Sequence, residues 1–209
     1  GGGWSHRFIE DPDSNVFHRA MIYRGGGTEG ILTLGGAQAA VKLWRPDGSS
    51  DTLWEADFGG EFSRMRDAEV GDIYGDGSAA IAVATHDQGV VVVLQPDGSG
   101  GFSVDQLDAM PDTIVHEIEL GDLDGDGTIE IYATPSAPNE VDGTPQQGAV
   151  VRYVPATGEG PVVVADLGTR HAKEILVADV DGDGRDELYV SVEAVSGGQV
   201  EIRRYDADT

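Results

Sequence analysis

The chain has 209 residues, with 38 acidic against 13 basic side chains and a net charge of −25. That much negative charge repels phosphate backbones, which excludes nucleic acid as a main partner and leaves cations, or solubility alone, as the use of the acids. Cysteine is absent, so no disulfide frames the fold, and no run of 18 apolar residues is present to span a membrane.

Short Val/Ile/Leu-rich runs between Gly/Asp/Pro clusters, with 31 glycines and no long amphipathic pattern, predict an all-β chain. Taken in order, "HRAMIYRGGGTEGILTL" (18–34) opens a first group of strands, and the turn "RPDGSS" (45–50) separates its later pair. In "RDAEVGDIYGDGSAAIAVAT" (66–85) the same apolar rhythm returns with an acidic loop. Four strands are expected here, at about 66–72, 80–85, 89–95 and 101–107, with "QPDGSG" (95–100) as a tight turn. "HEIELGDLDGDGTIEIYAT" (116–134) and "KEILVADVDGDGRDELYVSV" (173–192) repeat the unit. The reference aspartates Asp72, Asp122 and Asp179 stand 50 and then 57 residues apart, the excess falling in the insertion "PSAPNEVDGTPQQG" (135–148).

Four-stranded units at a period of 40 to 50 residues predict propeller blades, because a sandwich has no reason to repeat one loop motif. One β-propeller domain over residues 1–209 is expected, with four-stranded antiparallel blades at about 14–62, 63–112, 113–168 and 169–207. The last unit supplies only three strands, so Trp4–Glu10 is expected to close its blade and with it a four-blade ring. The alternatives are four consecutive blades of a larger ring, or two such chains joined as a homodimer of eight blades.

"DLDGDGTIE" places Asp122, Asp124, Asp126, the Thr128 carbonyl and Glu130 at positions 1, 3, 5, 7 and 9. "DVDGDGRDE" does the same with Asp179, Asp181, Asp183, the Arg185 carbonyl and Glu187. Alternating oxygens on a glycine-bearing turn converge on one point, the hard oxygen shell that Ca²⁺ prefers. "DIYGDGSAA" keeps only Asp72 and Asp76, so weak binding or none is expected there. The first unit's "IYRGGGTEG" has no acids in phase.

These loops, with "GDLDGDGTIEIY", "ADVDGDGRDELYV" and "GDIYGDGSAAIAV", resemble the FG-GAP/VCBS-type repeats of integrin α-chain propellers and many bacterial secreted proteins. The resemblance implies calcium loops on the lower face of the blades and ligands on the upper face. Adhesion, carbohydrate binding and lyase chemistry all occur on such propellers, so the motif names no activity.

Each innermost strand begins five or six residues before its reference aspartate, roughly 17–20 Å away at ~3.3 Å per residue, at the upper face. There a base precedes an acid: Arg66-Asp67, His116-Glu117 and Lys173-Glu174, with His18-Arg19 in the first unit after a one-residue shift. Arg64, His86 and His171 lie close by in sequence. Three readings stay open. The pairs form salt bridges between blades; or Arg64, Arg66, Asp67 and Lys173 bind a carbohydrate or protein; or His18, His86, His116 and His171 with Glu117 and Glu174 form a metal or catalytic centre, as in a lyase-like enzyme. The leading expectation is a calcium-stabilised binding module, secreted or cell-surface, because calcium is plentiful outside cells. A lyase-like or metal-assisted enzyme and a purely structural repeat module are the alternatives.

Overall fold

The computed structural model describes residues 2–59, 63–138, 146–194 and 198–207. It contains fifteen antiparallel strands in four sheets and no helix among these residues. The first sheet holds β1 (Phe17–Gly25), β2 (Thr28–Gly35), β3 (Ala39–Trp44) and β4 (Ser50–Ala56) in sequential order. β5 (Met65–Gly71), β6 (Ala80–Thr85), β7 (Val91–Pro96) and β8 (Phe102–Asp108) form the second. The third is β9 (Ile114–Gly121), β10 (Glu130–Ser136), β11 (Ala149–Val154) and β12 (Glu159–Asp166). β13 (Ala172–Ala178), β14 (Glu187–Val192) and β15 (Glu201–Tyr205) make a three-stranded fourth sheet.

Each sheet packs on the next, and the core lies in three layers between them. Leu32, Leu34, Ile81 and Val83 join the first two sheets. Ala80, Ala82, Ala84, Ile131 and Ala133 join the second and third, and Tyr132, Leu188, Val190 and Val192 the third and fourth. β6 and β10 are therefore buried on both faces, and β6 reads as a nearly continuous apolar run, AIAVAT. The alanines of β6 all face the third sheet, so that interface closes on small side chains opposite Ile131 and Ile118.

The outer faces of the first and last sheets remain exposed, with Ile22 at 59% and Ile202 at 75% of full exposure. The strand expected at Trp4–Glu10 is not formed in this structure. Residues 4–10 carry no strand pairing, and Phe8 and Ile9 share a pocket with Ile22, Ile31 and Trp44 of the first sheet. Phe8 stays 79% exposed and Ile9 44%, so this contact buries little apolar surface.

Local chemistry explains the turns. The three acidic loops each contain two glycines with positive φ: Gly75 and Gly77, Gly125 and Gly127, Gly182 and Gly184. Any other L-residue is strained there, so the loop shape persists in the second sheet although two of its acids are gone. In the first sheet Gly25 pairs with Thr28 across Gly26 and Gly27, both with positive φ, so a two-residue hairpin replaces the acidic loop.

Candidate functional site

Every innermost strand carries a one-residue bulge near its start. Pairing shifts between Phe17 and Arg19, between Met65 and Asp67, opposite Ala133–Pro135 on β9, and between Ala172 and Glu174. The bulges make His18-Arg19, Arg66-Asp67, His116-Glu117 and Lys173-Glu174 structurally equivalent, as the shifted alignment of the first unit expects. A bulge re-aims successive side chains, here at the upper end of the strands.

The pairs combine only in part. Arg19 reaches across to the second sheet and binds Asp67 and Glu69, and its Nη1 lies 3.7 Å from Glu117 Oε1. Asp67, 3% exposed, also accepts the Ile118 N–H at 3.2 Å, and Arg66 Nε donates to the His116 carbonyl at 2.8 Å. Thus the first three sheets are stitched together. Lys173 turns instead to Glu193 at 3.2 Å, and Glu174 stays exposed, so the series stops before the fourth sheet.

One cation, Arg19, faces several carboxylates here. Burial, then the hydrogen bond and charge of Asp67, raises the Glu117 carboxyl well above the usual range. Burial also pushes Glu119 up to about 7, with Glu69, Asp67 and Glu174 adding to the shift and Arg19 opposing it. The folded chain therefore keeps a proton on Glu119 that the unfolded chain releases above about pH 4.5. Its contribution to stability is complete below that pH and is lost as pH rises through about 7. In the presence of chelator, the melting temperature is expected to fall from pH 5 to pH 8, and Glu119→Gln to flatten part of that fall. Parallel profiles for the two proteins would count against the assignment.

The histidines gather at the same end. The rings of His86 and His116 lie 6.1 Å apart, and those of His116 and His171 5.5 Å. His86 Nδ1 is 3.1 Å from Asp87 Oδ1, and Arg64 holds that carboxylate through its side chain and backbone N–H. Burial, followed by the charges of His171 and Arg66, pushes His116 down to about 3, so its imidazole is neutral at ordinary pH. Burial lowers His18, His86 and His171 as well.

Two clefts open beside this cluster. One of about 350 Å³ is lined by Arg64, His86, Asp87, Gln88 and Thr113, the other of about 490 Å³ by Met110, Thr113, Ser136, Gly148 and Asp166. Asp112 and Thr113 belong to both. Gln88 and Asp112, two non-glycine residues with positive φ, sit here, a local strain that favours a shaped surface over the easiest backbone path. Sequence reading passed over Asp112 and Thr113. The signal was their place in the β8–β9 connection, which must run over the upper face. The middle of the insertion at 135–148, residues 139–145, lies outside the described residues, but its flanks line the larger cleft.

At the lower end the acidic loops differ. One carboxylate oxygen from each of Asp179, Asp181, Asp183 and Glu187 lies within 4.8 Å of the others, and so do those of Asp122, Asp124 and Asp126. Oxygens across a calcium ion at ~2.3–2.6 Å each are about 5 Å apart, so each set is compact enough for one ion, with Arg204 Nη2 at 2.8 Å from Asp181 as the cation an ion would displace. Glu130 stands apart: it binds Tyr132, accepts the Leu123 N–H, and pairs with Arg152 Nη1 at 2.7 Å. In the second sheet Asp76 receives Gln95 Nε2 at 2.8 Å and Tyr74 turns to Asp105, leaving Asp72 to cap its own loop.

Residues 72–133 match the family model described as FG-GAP-like repeat, from the second sheet's acidic loop to β10. The chain therefore carries an FG-GAP-type repeat within an all-β array of propeller-like blades. No curated protein matches the chain. No helix among the described residues is long and apolar enough to cross a membrane.

Proposed function

We propose that this chain is a calcium-stabilised β-propeller binding module, acting outside the cell, with a carbohydrate or protein ligand on the face opposite the calcium loops. The observation that carries the reading is the four-carboxylate set Asp179, Asp181, Asp183 and Glu187, whose oxygens converge within 4.8 Å on a loop held open by two glycines. Asp122, Asp124 and Asp126 supply a second, thinner set, with the Thr128 and Arg185 carbonyls as further donors to their respective ions. Bound calcium would neutralise these carboxylates and tie each inner strand to its neighbour; its role here is structural.

Ligand binding draws support from the two upper clefts and from the basic groups Arg64, Arg66 and Lys173 on a chain otherwise rich in acid. The enzymatic reading has less behind it. Glu117 is committed to Asp67 and Arg19, while His116 is 3% exposed.

Chelation tests the calcium reading. A filled site at a hundredfold excess of ion over Kd contributes ~2.7 kcal/mol, and a chain of this size loses about 2–4 °C per kcal/mol. EDTA is thus expected to lower Tm by about 5–10 °C per occupied loop, reversed by added Ca²⁺. An unchanged Tm would remove calcium from the description. A glycan panel probed with the wild type and Arg64→Ala addresses the ligand, because Arg64 lines the smaller cleft, with binding expected to the former and lost in the latter.

A further inference from the structure

The imidazoles above the inner strands answer a different chemistry from the acidic loops. We infer that His116, with His86 and His171, forms a binding site for a transition-metal ion of the zinc, copper or nickel kind, at the upper ends of three successive blades.

The geometry begins with His116. It sits on the β9 bulge, is 3% exposed, and its Nε2 has no hydrogen-bond partner among the described residues. A buried nitrogen left without a partner costs ~1–3 kcal/mol, a cost that an ion bound there would offset. The rings on either side come from different blades: His86 from the β6–β7 connection, edge-on at 84°, and His171 from the residue just before β13, tilted by 30°. Two imidazoles sharing one tetrahedral ion at ~2.1 Å have ring centres roughly 5 Å apart. The observed 6.1 and 5.5 Å are wider, and the imidazole nitrogens do not already stand within 4.8 Å of one another as the carboxylate oxygens of the acidic loops do. The inferred site therefore forms by rotation of these side chains as the ion binds.

The surroundings suit ligating imidazoles. Asp87 holds His86 through Nδ1, leaving Nε2 for an ion, and Arg64 fixes Asp87 in turn. That carboxylate–imidazole arrangement is how proteins orient histidine ligands. At the other end Glu193 Oε2 lies 3.1 Å from His171 Nε2 and offers an oxygen donor beside it. Imidazole nitrogen selects zinc, copper and nickel, whereas calcium and magnesium take oxygen. The site is therefore separable from the acidic loops, and the inference does not rest on calcium binding.

The test uses the full chain without an affinity tag, in excess Ca²⁺ so that the acidic loops are filled. It is titrated with Co²⁺, followed by visible absorption, and with Zn²⁺ by calorimetry. One equivalent is expected, with a Co²⁺ spectrum of nitrogen coordination. His116→Ala should weaken Zn²⁺ binding by about 100-fold or more, and His86→Gln and His171→Gln by about 10-fold or more each. Asp122→Asn and Asp179→Asn should leave Zn²⁺ affinity unchanged. Should His116→Ala fail to melt cooperatively, His86→Gln decides alone, its ring being on the accessible side of the cluster. No stoichiometric Zn²⁺ binding, affinity unchanged in His86→Gln, or loss in the aspartate variants instead would each overturn the site.

Discussion

Replacing Arg19 by methionine is expected to lower stability by about 3 kcal/mol, the low end of what breaking a buried ion pair costs. Arg19 spans the first two sheets and binds both Asp67 and Glu69, with Glu117 of the third sheet close behind. Methionine keeps much of the apolar stem but leaves Asp67, 3% exposed, without its cation and facing other carboxylates. The estimate stays low because the guanidinium itself is about one-third exposed, at 34%, and water screens part of the loss. In a thermal melt the change corresponds to about 6–12 °C. Adding Asp67→Asn to the Arg19→Met protein removes the stranded charge and should recover part of the loss, while Arg19→Lys keeps the charge without the two-pronged contact. A loss below about 1 kcal/mol for Arg19→Met, or no recovery in the double variant, would show that the inner strands are not joined through this residue.

The same network shows where sequence stops being informative. The repeat spacing, the acidic loops and their paired glycines are local features, fixed by what a nine-residue turn needs, and they stand where expected. The base–acid pairs were also visible, because a bulge at one place in every blade repeats in sequence as in space. Their partners were not. Nothing near Lys173 says that it meets Glu193 and leaves Glu174 exposed, and Glu130 reads as a ninth-position ligand until Arg152 arrives from β11. Such choices depend on which charges the folded sheets bring together. The N-terminal segment differs for a related reason: Phe8 and Ile9 supply apolar side chains but no register, and they line a shallow pocket with Ile22, Ile31 and Trp44 without pairing into a ladder. In the first blade the run of three glycines was legible as a lost acidic loop, but the tight hairpin it forms needed the pairing of Gly25 with Thr28 to be seen.

These differences make the two acidic loops unequal, and the fourth blade's loop should dominate calcium-linked stability. Asp179 accepts backbone N–H groups from Gly182 at 2.7 Å, Asp183 at 3.1 Å and Gly184 at 3.0 Å, so it shapes the turn while presenting its oxygens. Glu187 stays with the cluster although Arg204 Nη2 lies 3.5 Å from it and 2.8 Å from Asp181, whereas Glu130 in the third blade is drawn out of its set by Arg152 and Tyr132. The loops also touch: Asp186 donates its N–H to the Asp122 carbonyl at 3.1 Å, and its side chain accepts the Asp122 N–H at 2.8 Å. Asp179→Ala is therefore expected to abolish the tighter calcium equivalent, weaken the other through Asp186, and lower Tm in Ca²⁺ by about 5–10 °C. In EDTA the same variant should lose less, because only the turn's hydrogen bonds remain to be broken, at about 1 kcal/mol each or under. The difference between the two conditions isolates the ion. Asp72→Ala should show no such difference, since Gln95 already occupies Asp76 in that loop. Equal losses for Asp179→Ala with and without calcium would reduce the acidic loops to hydrogen-bonded turns and leave the blades held together by their apolar layers, Arg19 and the direct hydrogen bonds between sheets.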